Sequence, residues 1–228
     1  MTYFVLIGSV VFGLLIVRFV NNINPEAIKL LLAFSGAYLF AISIFHIIPD
    51  IYSEKTKNIS VFIFIGFNLQ VVLEFFSKGI EHGHNHINSK IVPKSMLISL
   101  GIHAYLEGMP LGAIELNDKS NEYSLLTGIS LHKIPVTVVL MSLFTKANFS
   151  KLKSYILIFF FAIIGPLGSL TGFLVQEIGN YHDEIMALVV GIFVHISTTI
   201  LFENSEEHKF KIQKLFAICI AGILAWFT

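Results

Sequence analysis

Eight apolar stretches constrain this chain more than any other feature, because each is at or near the length a helix needs to cross a bilayer. They fall at about Tyr3–Val17, Leu30–Pro49, Ile59–Phe76, Ser95–Ile114, Leu125–Thr145, Tyr155–Gln176, Ile185–Phe202 and Leu215–Phe227. A spanning helix requires roughly 20 mainly apolar residues. Charged residues make up only 13% of the chain and hydrophobic ones 55%, with a mean hydropathy of +0.78. A soluble domain carries about a quarter charged residues. The expected fold class is therefore an all-α integral membrane protein of eight transmembrane helices, one domain covering residues 1–228. The connecting loops are too short to fold alone, and no soluble domain is expected before or after the bundle. The first stretch lacks a basic leader and a small-residue cleavage site, so it reads as a retained helix rather than a secretory signal.

Basic residues set the expected topology. The loops after the first, third, fifth and seventh stretches hold Arg18, Lys29, Lys78, Lys90, Lys94, Lys146, Lys151, Lys153, Lys209, Lys211 and Lys214, whereas the other loops hold only Lys55, Lys57 and Lys119. Lys133 lies inside a helix. Positive residues favour the cytoplasmic side, which places both termini outside and the 77–94 loop in the cytoplasm. The expected location is the plasma (inner) membrane. A net charge of zero argues against nucleic acid as a partner. The single cysteine, Cys219, has no partner for an internal disulfide.

Ionisable groups at bilayer depth are costly and mark functional sites by default. His103 and Glu107 stand in the fourth stretch, His132 and Lys133 in the fifth. His46 lies near the outer end of the second, His195 near the middle of the seventh and Glu74 near the inner end of the third. The i, i+4 spacing of His103 and Glu107 puts both on one helix face, about 6 Å apart along the axis. Imidazole with carboxylate suits zinc(II), iron(II) or manganese(II); a mutually satisfied packing pair is the alternative. The fourth and fifth stretches run antiparallel through a short loop and read as neighbours. His103, Glu107, His132 and Lys133 then share one layer near the bilayer centre. Pro110 and Pro135 withhold the amide that would bond the carbonyls of Leu106 and Leu131. Interrupted helices at mid-membrane are a sequence pointer to a transporter's binding site.

At these residues the chain resembles the ZIP (Zrt/Irt-like) family of metal transporters. His103-Ala-Tyr-Leu-Glu107-Gly108 followed by Met-Pro-Leu-Gly is similar to the family's H-N-x-P-E-G-L-A-L-G. His132-Lys133-Ile134-Pro135 is similar to H-E-x-P-E-G, and His46-Ile-Ile-Pro49-Asp50 to H-L-L-P-E. Gly165-Pro166-Leu-Gly168-Ser-Leu-Thr-Gly172 is similar to G-P-x-G-x-x-x-G. His82, His84 and His86 sit in the 77–94 loop, where the family often carries histidines. The resemblance implies a 3+2+3 arrangement, with inverted repeats around helices 4 and 5.

The departures shape the expected site. Many ZIP proteins hold two metals bridged by carboxylates. Here Ala104 replaces the usual Asn, Val136 replaces the second Glu, Gly165 stands where some members place an acidic ligand, and Lys133 occupies a ligand position. An ammonium donates hydrogen bonds and binds no metal. The chain thus resembles a variant branch with H-A-x-x-E-G and H-K-x-P motifs. One metal is expected on His103, Glu107 and His132, with Lys133 as a charge substitute for a second ion. His46, Asp50 and His195 are candidates for the ion path, and His82, His84 and His86 for transient loop contacts. An interfacial helix end for the first two, a helix–helix bond for His195 and a solvated loop for the rest are the bland alternatives.

The function implied is transport of a divalent metal, zinc foremost, toward the cytoplasm, with the metal as substrate and no enzymatic role. An intramembrane metal-dependent hydrolase and a metal-sensing receptor are the competing classes. A hydrolase needs a general base and an open coordination position. Expected partners are divalent metal ions and membrane lipid, with homodimerisation left open.

Overall fold

The computed structural model describes residues 1–20, 24–53, 58–79, 92–113, 119–175, 179–202 and 212–228. Eight helical runs span them, with no strand among the described residues. They are α1 (Thr2–Phe19), α2 (Pro25–Ser53), α3 (Ile59–Ser77), α4 (Lys94–Ala113), α5 (Lys119–Lys146), α6 (Lys151–Leu174), α7 (His182–Phe202) and α8 (Ile212–Trp226). Six are long and apolar enough to cross a membrane: α1, α2, α3, α5 from Tyr123, α6 and α7. α8 is apolar but has 15 residues. α4 falls outside the group because Lys94, His103, Glu107 and its glycines dilute its hydropathy.

Local chemistry explains where the helices start and bend. α2 begins five residues before the apolar stretch expected from Leu30. Asn24 caps it by accepting from the Glu26 amide at 3.0 Å, and Pro25 sits in the first turn, where its missing N–H costs nothing. Within α2 the segment Ser43–Ile47 widens to a π-turn, in which the Ile48 amide bonds the Ser43 carbonyl. This turn precedes Pro49, whose ring cannot donate to Phe45. The expected interruption at Pro110 and Pro135 is not what the backbone does: α4 and α5 run on as α-helix through both prolines.

Packing separates a lipid-facing shell from a polar-lined interior. In α5 83% of the spanning window is buried, against 22% in α1 and α3, which makes α5 a central helix. Phe4, Phe12, Phe64, Phe75, Phe159 and Phe173 point outward, as side chains in lipid do when no water drives them inward. α4 packs most extensively on α6. A Cβ on Gly108 or Gly168 would fall under 3.0 Å from the facing backbone, so these backbones touch directly. α1 packs on α5, α3 on α7 and α8 on α2. Exchanging α1 with α6, α2 with α7, α3 with α8 and α4 with α5 maps the α1–α5 pair onto α6–α4 and the α3–α7 pair onto α8–α2. Inverted repeats around α4 and α5 require that pattern.

The short loop suggested that α4 and α5 pack as direct neighbours. Their backbones meet only slightly. The space between them is bridged by long polar side chains, which form the site described next.

Candidate metal site

α4 places His103 and Glu107 one turn apart, and α5 faces them with His132 and Lys133. All four are almost wholly enclosed, at 4%, 1%, 1% and 3% exposure respectively. His103 Nε2 lies 3.0 Å from Glu107 Oε1, and Lys133 Nζ lies 3.7 Å from Glu107 Oε2. The single carboxylate thus turns one oxygen to an imidazole and the other to an ammonium. The ring centroids of His103 and His132 are 6.4 Å apart and nearly perpendicular.

These atoms are not satisfied as a packing network. Both ring nitrogens of His103, Glu107 Oε1 and Lys133 Nζ are buried without a hydrogen bond of good geometry. Buried polar atoms are nearly always bonded to protein, water or an ion, so these atoms call for a further partner. The dimensions suit a metal in part. On a tetrahedral zinc with bonds of about 2.1 Å, an N···O edge is roughly 3.3 Å and two imidazole centroids stand roughly 5.3 Å apart. The His103–Glu107 edge is close to that, and the two rings are about 1 Å too far apart. Among the described residues no three His, Cys, Asp or Glu side chains form a closed metal-holding group. Closure therefore needs a small approach of α5 to α4.

Neutral residues complete the setting. Ser35 Oγ donates to Leu32 O at 3.0 Å and lies 3.5 Å from His132 Nδ1. Its proton being engaged, the hydroxyl oxygen can only accept from Nδ1–H, and that tautomer carries the lone pair on Nε2. Lys133 lies 4.9 Å from the centroid of Phe161, a cation–π distance. Gly165 faces the lysine, and a Cβ there would make ordinary contact with Lys133 Cε at 3.4 Å and Nζ at 3.5 Å. Sequence reasoning singled out Gly165 but not Ser35 or Phe161, which carry no signal of their own.

The other candidates have partners elsewhere. His46 Nε2 donates to Ala225 O at 2.7 Å, tying the π-turn of α2 to the end of α8. Asp50 lies one turn further on, half-buried. His195 Nε2 pairs with Glu74 Oε2 across α7 and α3, with its ring edge-on to Phe67. About one to two turns before this pair, Gly66 and Gly191 bring the two backbones together. His82, His84 and His86 lie outside the described residues.

Fold and site define a polytopic helical membrane protein with a buried cluster of metal-ligand type at its centre. The ZIP zinc transporter family model matches residues 79–227, more than half of the chain, and the chain belongs to that family. It is 26% identical over 149 residues to Protein zntD of Dictyostelium discoideum, an alignment covering 58% of this chain and 22% of that protein. It is 24% identical over 149 residues to Zinc transporter 7 of Arabidopsis thaliana, covering 62% of this chain and 40% of that protein. The chain spans well under half the length of these curated relatives.

Proposed function

We propose that this chain transports a divalent metal ion, zinc foremost, toward the cytoplasm through one mid-membrane site, and that it is not an enzyme. His103, Glu107 and His132 are the ligands, and Lys133 is a fixed cation in place of a second metal. The observation that carries the reading is a buried carboxylate shared between His103 and Lys133, with ring nitrogens left unsatisfied around it. Family membership and the names of both relatives support the metal class. The inward direction rests on the family resemblance, and the bias of basic residues supplies the orientation of the helices.

The chemistry favours a carrier over a hydrolase. Among the described residues Glu107 is the only acidic group at the cluster. Once it ligates the ion, no second carboxylate remains there to act as general base. His46, Asp50 and the His195–Glu74 pair lie toward opposite ends of the bundle and serve as polar stepping points for the ion. The loop histidines are transient contacts at the inner mouth.

Proteoliposome uptake of zinc, iron, manganese and cadmium, compared side by side, tests the proposal. The wild-type chain should load the vesicles with zinc, and His103→Ala/Glu107→Ala should insert normally and carry none. Wild-type uptake by that double variant would exclude the site. Metal binding without any uptake would turn the reading toward a receptor.

A further inference from the structure

A second cavity lies away from the metal site, where the ends of α1, α5 and α6 meet. It encloses about 690 Å³. Its walls include Leu14, Val17 and Met141, and its polar lining includes Arg18, Lys151 and Tyr155. The metal site uses none of these residues.

The local backbone fixes this arrangement. The turn between α5 and α6 is only Ala147–Ser150. Asn148 adopts a left-handed conformation (φ 56°) that reverses the chain, and Ser150 caps α6 by accepting from the Lys153 amide at 3.3 Å. Lys146 and Lys151 are thereby held at the two ends of one tight turn. Lys153 Nζ rests 3.7 Å over the Phe149 ring. Arg18, in the last turn of α1, completes a group of four cations. Among the described residues none of the four has a carboxylate partner: the ion pairs there join Lys29 to Glu26 and Lys133 to Glu107, and the rest are histidine pairs.

This is a recess of mixed lining, with Leu14, Val17, Met141 and Phe149 on its apolar side and the cations Arg18 and Lys151 among its polar residues, at the end of the spanning helices rather than at their middle. Lipid-facing Leu152, Tyr155, Ile156 and Phe159 continue from it along α6. A lipid has the matching shape, with acyl chains along an apolar helix and a phosphate at the cationic rim. Basic pockets between transmembrane helices bind anionic headgroups on these grounds. We infer that the α1–α5–α6 cavity is a binding site for an anionic phospholipid, its headgroup phosphate held between Arg18 and Lys151 and its chains lying on α6. Because α5 also carries His132 and Lys133, a lipid seated here braces the inner half of the helix that faces the metal. The inference rests on no assumption about transport.

The test measures phosphatidylglycerol bound by the delipidated full chain. Native mass spectrometry counts retained lipid, and the melting temperature is followed as lipid is titrated in. Each basic side chain near an anionic headgroup contributes about a factor of five in affinity. Arg18→Gln/Lys151→Gln should therefore bind about 25-fold more weakly. Lys78→Gln/Lys94→Gln, which removes two cations elsewhere on the same side, should stay within about twofold of wild type. Equal loss in both double variants would show diffuse surface charge and overturn the site, as would no loss in the first. Inorganic phosphate that raised the melting temperature as much as the lipid would mark a small-anion site and refute the lipid assignment. Should the first variant not remain monodisperse, a photoactivatable phosphatidylglycerol decides the matter on the unmodified chain. Label on α1 and α6 beside the cavity is expected, and label only elsewhere would refute the inference.

Discussion

Replacing Lys133 by Met removes the ammonium and keeps a stem of similar length against Phe161. In the structure Nζ is 3.7 Å from Glu107 Oε2. At an effective permittivity of about 20, two unit charges at that distance attract by about 4.5 kcal/mol. A metal bound at Glu107 shares this carboxylate with the lysine and is repelled by it. Deleting the ammonium removes both handicaps. Relaxation of the site and water entering it offset part of the gain, so zinc should bind on the order of 10- to 100-fold more tightly, or about 1.4–2.8 kcal/mol. The same change slows release, and turnover should fall about tenfold if release limits it. Without metal the variant holds an uncompensated buried carboxylate, a cost of about 3–5 kcal/mol when a buried pair is broken. Added zinc should then raise its melting temperature more than that of wild type. Isothermal titration in detergent gives the affinity, and stopped-flow uptake into proteoliposomes gives the rate. Unchanged affinity with an unchanged rate would remove Lys133 from the mechanism. Weaker binding would refute the argument outright, since it would make the lysine a support of the metal rather than its competitor.

Three further outcomes follow from the geometry. Ser35→Ala removes the oxygen facing His132 Nδ1, and zinc affinity by titration should drop about tenfold, as for other partners that orient a ligating histidine. Gly168→Ala drives a Cβ into the backbone at Tyr105; overpacking of this kind costs about 1–3 kcal/mol, and the melting temperature of the purified protein should fall. His46→Ala loses the bond to Ala225 O; stability should drop by about 1 kcal/mol, seen in thermal melts, while zinc affinity stays within about twofold because the bond lies outside the ligand set.

The helix count was legible because long apolar runs satisfy their backbone in lipid as helices, and the eight runs became eight helices among the described residues, six of them long and apolar enough to span. Their ends were less so. α2 starts at Pro25 because of a cap and a proline, features that hydropathy does not weigh. Pro110 and Pro135 read as breaks, yet the helix passes through both. A missing N–H withdraws one bond without forcing a turn, and neighbours in a membrane bundle can hold the axis. Neighbour choice was misjudged for the same reason that loop length is a weak guide. α4 lies on α6 because Gly108 and Gly168 let their backbones touch, and those glycines stand in two of the motifs quoted for the family.

The candidate site shows the same division. Charged residues at membrane depth are rare enough that His103, Glu107, His132 and Lys133 stand out in the sequence unaided. What positions them is ordinary: a serine, a phenylalanine and a glycine, types that recur throughout the chain. Gly165 illustrates the point. In the motif it registers as a lost acidic ligand, whereas in the fold it lies directly against Lys133, at ordinary contact distance from Cε and Nζ. A glycine at 165 and an ammonium at 133 act in the same direction, each leaving the cluster less negative than a carboxylate there would. Among the described residues Glu107 is the one acidic group of the cluster, and in the proposed mechanism it faces one fixed cation, Lys133, and one ion that can leave.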